Sequence, residues 1–394
     1  MNKVWKTKED RASEMEEITK QLEEGVKKYF TSDSYKDYLT TMSRFHNYSF
    51  NNVMLIALQR PDSSMVAGYN TWKKLNRYVK KGEKGIRILA PAPIKKEVIR
   101  EVTDPITKEK SWETVEKTIP MFKPAYVYDL AQTDGEPLKL PEISDLQGQV
   151  DGYEIIREAA SRIAPVPISY ERFDGSAKGY FHAGTNQIVI QDNLSELQTV
   201  KTLLHELSHS ILHNKEQLKI DGPKDSKTKE VEAESVAFTV CTALGLDTSD
   251  YSFPYIALWA GDQDLPQLRS SMDYIRSTAA EMIENLQREI GQIREEKMVN
   301  SLSEELVEFA VLLDPYDYLD ANHDKETALA EMKEHLLADG TKSIVREIQG
   351  IIQEHNDPEI TESGEKLISN LTKLEEHMEQ RQGKEIRQKG GEAR

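Results

Sequence analysis

Apolar residues recur at helical spacing through the first sixty residues of the chain. Ile18, Leu22 and Val26 lie four positions apart, which is the repeat of one face of an α-helix. A second apolar stripe runs through YKDYLTTMSRFHNYSFNNVMLIALQR and ends before Pro61. Because proline ends helices, we predict helices over residues 8–60.

The pattern then changes from helical spacing to alternation, which is typical of strands. KKGEKG predicts a turn before the alternating segment IRILAPAPI, and EVTDPITKEKSWETVEKTIPMFKPAYVYDL predicts further strands around a charged hairpin. AQTDGEPLKLPEISDLQGQ is rich in proline, glycine and polar residues, which is typical of a linker. We therefore predict a first domain over residues 1–130 and a linker over residues 131–149.

The second half of the chain predicts another mixed unit followed by helices. DGYEIIREAASRIA indicates a helix, VPISYERF a strand and GYFHAGTNQIVIQ a hairpin that turns at residues 184–186. Two helical segments follow, TLLHELSHSILH and EVEAESVAFTVCTALGL, joined by the polar loop NKEQLKIDGPKDSKTK. We predict an α+β protein with a second domain over residues 150–264. A helical extension over residues 265–394 would end in a frayed tail.

Composition excludes several classes of protein. The net charge is −17, and 38% of the residues are hydrophobic and 30% charged, which fits a soluble, folded chain. Cys241 is the single cysteine, so no disulfide framework can form and a reducing compartment is expected. No signal-peptide pattern and no run of about 18 apolar residues occurs. We expect a cytoplasmic protein with no membrane partner.

The sequence TLLHELSHSILH carries an HExxH motif formed by His205, Glu206 and His209. Residues four apart share one face of a helix, so both imidazoles can bind one ion. Glu206 is the candidate catalytic base, because it can accept the proton of a water that the metal activates. The alternative is an ordinary amphipathic helix with two satisfied histidines. The strand NQIVIQ just upstream favours the metal, because zinc peptidases place a substrate-binding edge strand there.

Catalytic zinc usually takes three protein ligands, and the following helix offers Glu230, Glu232 and Glu234. At 100° per residue, Glu230 falls nearest the apolar face, Glu234 lies at its edge and Glu232 points away. We therefore predict Glu230 as the third metal ligand and Glu234 as a hydrogen-bond partner of a ligating histidine, although the choice between them stays open. His213, one turn beyond His209, is expected to cap or pack; the alternative is that it touches the substrate or a carboxylate beside the metal ligands.

A basic segment at residues 66–100 opposes the acidic charge of the whole chain. Ten lysines and arginines face two glutamates there, a local charge of +8, which indicates a polyanionic partner. Interleaved aromatics favour single-stranded DNA, since bases stack on rings while cations track phosphates. The alternative is a buried Trp72 with simply solvated lysines. The predicted DNA-binding residues are Trp72, Lys73, Lys74, Arg77, Tyr78, Lys80, Lys81, Lys84 and Arg87.

These segments resemble a known family. GYFHAGTNQIVIQDNLSELQTVKTLLHELSH followed by EVEAESVAFTVCTALGL is similar to the C-terminal domain of ArdC-type antirestriction proteins, and more distantly to the ImmA/IrrE metallopeptidases. FHNYSFNNVMLIALQRP and YNTWKKLNRYVKKGEKGIRILAP resemble the ArdC-type single-stranded-DNA-binding domain. The resemblance covers about residues 8–250. It implies a zincin-like (gluzincin) domain whose zinc ligands are His205, His209 and Glu230.

We therefore predict a mobile-element antirestriction protein that binds single-stranded DNA and carries a zinc-dependent peptidase site with an unidentified protein substrate. One alternative is a regulatory protease of the ImmA type that cleaves a repressor. Another is a non-enzymatic antirestriction decoy whose zinc is structural. Glu206 argues against the decoy, because a structural site needs no general base.

Overall fold

The α+β prediction is confirmed. A computed structural model describes residues 8–29, 32–103, 110–137, 150–173, 177–248, 256–261, 265–313, 325–355 and 357–391. The chain divides into two compact units, one formed by residues 1–153 and 164–284 and the other by residues 154–163 and 285–394. Both functional motifs of the sequence therefore lie in the first unit.

The first unit begins with helices that precede short sheets. The helices are α1 (Lys8–Tyr29), α2 (Ser32–Arg44), α3 (Phe50–Gln59) and α4 (Tyr69–Lys74). The strands are β1 (Val66–Gly68), β2 (Arg77–Val79), β3 (Ile86–Pro91), β4 (Ile94–Thr103), β5 (Lys110–Ile119), β6 (Phe122–Asp129) and β7 (Thr133–Gly135). They form a β1-β6-β3 sheet and the two-stranded sheets β2-β7 and β4-β5. The predicted helices and strands of this region are present, and the described residues add α4 and the short strands β1, β2 and β7.

Helix α3 closes the open edge of strand β3. The side-chain amide of Asn52 donates to the carbonyl of Leu89 at 2.9 Å and accepts from its N–H at 2.8 Å. Gln59 makes the same two contacts with Arg87, at 2.8 and 2.9 Å. Two amides thus replace a neighbouring strand, which satisfies edge groups that would otherwise be open to pairing. The segment FHNYSFNNVMLIALQRP therefore has a structural role in this domain.

The predicted linker is partly structured. A single turn at Leu130–Gln132 leads into β7, which pairs antiparallel with β2. Gly135 has a φ of 128°, and a side chain there would collide with the backbone of Asn76. Only glycine fits this close approach. The prediction of a linker is therefore wrong for residues 131–135, and residues 138–149 lie outside the described part of the chain.

A second mixed layer follows, and it lies in the same unit except for residues 154–163 of its first helix. It comprises α5 (Val150–Ile163), β8 (Ile168–Glu171), β9 (Gly179–His182), β10 (Gln187–Gln191), α6 (Glu196–Leu212), α7 (Lys215–Asp221), α8 (Ser226–Ala243) and α9 (Ile256–Gly261). The sheet order is β8-β10-β9. NQIVIQ is thus the central strand, so its assignment as the edge strand is wrong and β9 holds that place beside α6. The predicted polar loop contains α7, and α8 begins at Ser226 rather than Glu230.

The N-terminal helices share a core with α8. The hydroxyl groups of Tyr35 and Ser235 lie 2.9 Å apart and are buried. Lys36 donates to the carbonyl of Thr248 at 3.1 Å. Helix α10 (Leu265–Leu313) joins this core through Met272, whose sulfur lies 3.6 Å from the Tyr35 hydroxyl. The segments predicted as separate domains therefore pack against each other within the first unit.

The second unit is helical. It contains the ends of α5 and α10, together with α11 (Lys325–Asp339), α12 (Thr341–His355) and α13 (Pro358–Gly391). Apolar side chains of α10–α13 form its core, among them Leu302, Ile348 and Leu371. The tail predicted to be frayed is helical as far as Gly391, and residues 392–394 are not described. None of the described helices is long and apolar enough to cross a membrane.

Candidate metal centre and candidate nucleic-acid interface

Helix α6 carries both motif histidines on one face. The helix begins after Ser195, whose hydroxyl accepts from the N–H of Gln198. Its side chains Leu203, Leu204 and Leu207 are fully buried. Burial of that side fixes the rotation of the helix. As a result, His205 and His209 turn toward α8 with only 20% and 14% of their side chains exposed.

Three side chains bring possible ligand atoms together between α6 and α8. Nε2 of His205 lies 3.2 Å from Nε2 of His209, and these nitrogens lie 3.4 and 3.5 Å from the carboxylate oxygens of Glu230. A tetrahedral ion with bonds of about 2.0–2.1 Å requires ligand atoms about 3.3–3.4 Å apart. The spacing and the donor set of two imidazoles and one carboxylate therefore fit a divalent metal ion.

The predicted geometry of the three glutamates is only partly correct. Glu230 is 61% exposed, so it does not lie nearest the buried face, although it meets both histidines. Glu232 is wrongly predicted to point away, because its side chain is 0% exposed. Glu234 lies 2.9 Å from Nδ1 of His205, at angles outside those of a hydrogen bond. The sequence placed the apolar face correctly but did not foresee that a carboxylate would be buried within it.

The candidate ligands shift one another's pKa values. Burial lowers the pKa of His205, but contacts with Glu230 and Glu234 outweigh it and raise this pKa to about 10. The same contacts, first with His205 and then with His209, hold the pKa of Glu230 well below its ordinary value. A metal ion that binds here must therefore displace a proton, as is usual for imidazole sites.

Glu206 is buried beside this cluster. Burial raises the pKa of its carboxyl, while the neighbouring His205 and His209 and a hydrogen bond from the N–H of Phe181 act against that rise. Gln191 N–H bonds to the carbonyl of Lys178, so in the alternating antiparallel pattern the polar groups of Phe181 face away from β10. The free edge of β9 therefore meets Glu206, a contact that no sequence signal revealed.

A buried polar cluster continues from His209. Nδ1 of His209 lies 2.9 Å from Nδ1 of His213, and Nε2 of His213 lies 2.9 Å from Glu232. Burial lowers the pKa of His213. Burial opposes the charge of Glu232, but His213 and Lys224 outweigh it and keep the pKa of Glu232 below its ordinary value. His213 caps α6 as predicted, and its spacing of four from His209 is the signal that could have identified the cluster.

The prediction that Trp72 stacks on bases is wrong. Its side chain is 0% exposed, and its indole N–H donates to the carbonyl of Tyr128 at 2.9 Å. Trp72 is therefore a core residue that fixes α4 on the sheet, as the alternative interpretation held. Tyr69 and Tyr78 are 57% and 58% exposed, so these rings are accessible in its place.

The predicted cations separate into two groups. Lys73, Lys74, Lys80, Lys81 and Lys84 are exposed. Arg77 instead binds Thr133 and the carbonyls of residues 135 and 136, and so holds β2 to β7. Arg87 pairs with Glu17 at 2.8 Å. The lysines are thus the more available cations of this surface, which we call the lysine surface.

Comparison with known proteins identifies both halves of this unit. Residues 8–128 match the family model described as the N-terminal domain of anti-restriction factor ArdC. Residues 163–252 match the peptidase M78 model, described as the IrrE N-terminal-like domain. The resemblance predicted from the sequence is therefore confirmed. The boundaries at residues 149 and 264 stay predictions.

Individual relatives are more distant. An uncharacterized protein of Bacillus anthracis is 28% identical over 371 residues, which are 86% of this chain and 62% of that protein. The metal-free structure of the antirestriction ArdC protein from plasmid R388 is 22% identical with a TM-score of 0.41, covering 62% of this chain and 86% of that one. Its Mn(II)-bound structure is 21% identical with a TM-score of 0.40, covering 62% and 85%. By its two matched domains, the chain combines an ArdC-type N-terminal domain with an IrrE-like peptidase domain.

Proposed function

We propose that this protein binds single-stranded DNA and hydrolyses peptide bonds at a zinc site, and that it protects incoming mobile-element DNA from restriction. The observation that carries the proposal is the meeting of His205, His209 and Glu230 beside the buried carboxylate of Glu206. The match of residues 8–128 to the N-terminal domain of anti-restriction factor ArdC supports the link to restriction and to DNA. A cytoplasmic location stays a prediction.

Zinc is the metal that the donor set favours. Two imidazole nitrogens and one carboxylate form a typical catalytic zinc set that leaves a position open. His205, His209 and Glu230 would hold the ion. When bound, zinc supplies a Lewis acid that polarises a carbonyl and lowers the pKa of water.

Glu206 then serves as general base. Burial raises the pKa of this carboxyl toward neutral pH. A base whose pKa lies near the working pH both accepts and returns a proton efficiently. It takes the proton of the attacking water and passes it to the departing amine. The hydrogen bond from Phe181 holds the carboxylate against the free edge of β9. An extended peptide that added to this edge would place its backbone beside Glu206.

The lysine surface would bind the DNA. Exposed lysines attract phosphates without reading sequence, and Tyr69 and Tyr78 offer rings on which bases can stack. This surface is basic within a chain of net charge −17. The acidic remainder repels nucleic acid, which confines binding to this face.

An antirestriction assay with matched variants tests the proposal. Transfer of a plasmid with many restriction sites is measured in recipients that express the wild type or Glu206→Ala, with Glu196→Ala as a control because Glu196 is an exposed residue of the same helix. We expect Glu206→Ala to lose protection and the control to keep it. Full protection by Glu206→Ala would exclude a role for hydrolysis in antirestriction.

A further inference from the structure

Each nitrogen of His209 has a separate neighbour. Nε2 faces the candidate metal position, 3.2 Å from Nε2 of His205. Nδ1 lies 2.9 Å from Nδ1 of His213, one turn further along α6. An imidazole coordinates a metal through a nitrogen that carries no proton, and the partner of the other nitrogen decides which one that is. The neighbour of His209 that can decide this is His213.

His213 is in turn held by a buried carboxylate. Its Nε2 lies 2.9 Å from an oxygen of Glu232, whose side chain is 0% exposed. Lys224 lies 2.8 Å from the same oxygen and is 12% exposed. A lysine ammonium at this distance stabilises the ionised carboxylate, and an ionised carboxylate can only accept hydrogen bonds.

The order of protons along this cluster then follows from donor and acceptor roles. Glu232 accepts, so Nε2 of His213 carries a proton and donates it. A neutral imidazole has one proton, which leaves Nδ1 of His213 as an acceptor. Nδ1 of His209 must therefore be the donor across the 2.9 Å contact. The remaining nitrogen of His209, Nε2, is left with the lone pair that a metal needs.

We propose that His213 and Glu232 are positioning residues that keep His209 in the form that ligates through Nε2. This proposal rests on the proposed metal site and extends it by a relay of His209, His213 and Glu232. The other ligating ring also has a carboxylate beside it, since Glu234 lies 2.9 Å from Nδ1 of His205, although at angles outside those of a hydrogen bond. The alternating glutamates of α8 thus divide into Glu230, which would bind the metal, and Glu232 and Glu234, which lie beside the outer nitrogens of the histidines.

Lys224 is itself fixed in place. Its ammonium lies 4.6 Å from the ring centre of Tyr274 and 3.8 Å from a carboxylate oxygen of Asp221. The hydroxyl of Tyr274 donates to Asp221 at 2.9 Å. The first part of α10 therefore supports the relay, which gives this segment a role in the metal-binding half of the unit.

Zinc affinity of the full chain tests the relay with two variants at one position. His213→Leu keeps much of the volume but removes the acceptor, whereas His213→Asn keeps an acceptor near the position of Nδ1. We expect His213→Leu to weaken zinc binding about 10–100-fold in competition with a chelator, and His213→Asn to recover most of the loss. His377→Leu, at a half-buried histidine of the second unit, is the control and should bind as the wild type. Wild-type affinity in a folded His213→Leu protein would overturn the proposal.

The position of the protons can also be measured without any variant. In ¹⁵N-histidine-labelled wild-type protein, long-range ¹H–¹⁵N correlations distinguish a protonated nitrogen from a bare one. We expect protons on Nδ1 of His209 and Nε2 of His213, with and without zinc. A proton on Nδ1 of His213 would overturn the relay, even if His213→Leu failed to fold. Absence of zinc binding by the wild type would instead refute the proposed function, and the metal-free spectrum would still decide the relay.

Discussion

Nδ1 of His205 lies 2.9 Å from Glu234, whereas Nε2 of the same ring lies 3.4 Å from Glu230. Two carboxylates one turn apart on α8 therefore each lie beside a different nitrogen of the same imidazole. The nitrogen that faces Glu230 also faces His209, so this is the side on which a metal can bind. The sequence left the choice between Glu230 and Glu234 open, and these distances favour Glu230 as the proposed ligand.

The first prediction separates the two glutamates by zinc content. Glu230→Gln should lose most of the zinc after dialysis against a chelator, because two remaining ligands bind weakly. Glu234→Gln should lower affinity about 10–100-fold, because it acts only through the orientation of His205. Glu196→Gln, at an exposed position of α6, is the control and should retain full zinc occupancy. Equal retention of zinc by the Glu230 and Glu234 variants would contradict the assignment.

The second prediction concerns the cap of the helix that carries these glutamates. Asp225 accepts from the N–H of Thr228 at 2.9 Å, so Asp225→Ala should lower the free energy of unfolding by about 0.5–2 kcal/mol, whereas Asp225→Asn keeps an acceptor. The same hydrogen bond lowers the pKa of Asp225 below its ordinary value of 3.8. Its charge therefore stabilises the fold above pH 3.8, and this contribution is lost as the pH falls through the lowered pKa. Urea denaturation at several pH values would show the loss in the wild type and not in Asp225→Asn; an unchanged difference at acid pH would refute the prediction.

The third prediction concerns phosphate contacts. A combined variant should bind all single strands more weakly, and its affinity should depend less steeply on salt. The variant replaces four exposed lysines with glutamine: Lys73, Lys74, Lys81 and Lys84. Each lost phosphate contact should reduce the log–log slope by about 0.7. Lys215→Gln with Lys219→Gln, at two exposed positions of α7, is the control. A steep slope that survives the four substitutions would place the DNA site elsewhere.

The fourth prediction distinguishes the aromatic residues. Tyr69→Ala and Tyr78→Ala should each lower affinity for single strands by about 1–3 kcal/mol with little change in salt slope, because stacking releases few ions. Tyr180→Ala, an exposed tyrosine on β9, should leave DNA affinity unchanged. Trp72→Phe should lower the thermal stability of the protein and leave its affinity for DNA unchanged, because Trp72 lies in the core. Fluorescence anisotropy with labelled oligonucleotides measures the DNA affinity of all four variants. A loss of DNA binding without a loss of stability in Trp72→Phe would contradict the assignment of Trp72 to the core.

The sequence predicted those features that depend on local pattern. The α+β class and the meeting of His205 with His209 follow from helical spacing, because residues four apart share a face whatever surrounds the helix. The sequence also pointed to Glu230 as the partner of these histidines, although the argument from the apolar face of the helix was wrong. That argument took the apolar residues alone to mark the buried face, whereas a polar partner from elsewhere in the chain can bury a carboxylate, as His213 does for Glu232.

The features that escaped prediction depend on contacts between distant residues. Glu232 is buried because His213 lies 19 positions earlier and meets its carboxylate. Trp72 is buried because the carbonyl of Tyr128, 56 positions later, accepts its N–H. Tyr35 meets Ser235 across 200 positions and joins two regions that the sequence divides. No pattern within a short window contains these distances, so sequence periodicity could not reveal them.

The central claim is that one zinc ion binds between His205, His209 and Glu230. Anomalous diffraction at the zinc absorption edge, from crystals of zinc-loaded protein, tests it most directly. The account predicts one anomalous peak at bonding distance from Nε2 of both histidines and from an oxygen of Glu230, and no such peak in crystals of Glu230→Gln. A peak at another place in the chain, or a peak that persists unchanged in Glu230→Gln, would contradict it.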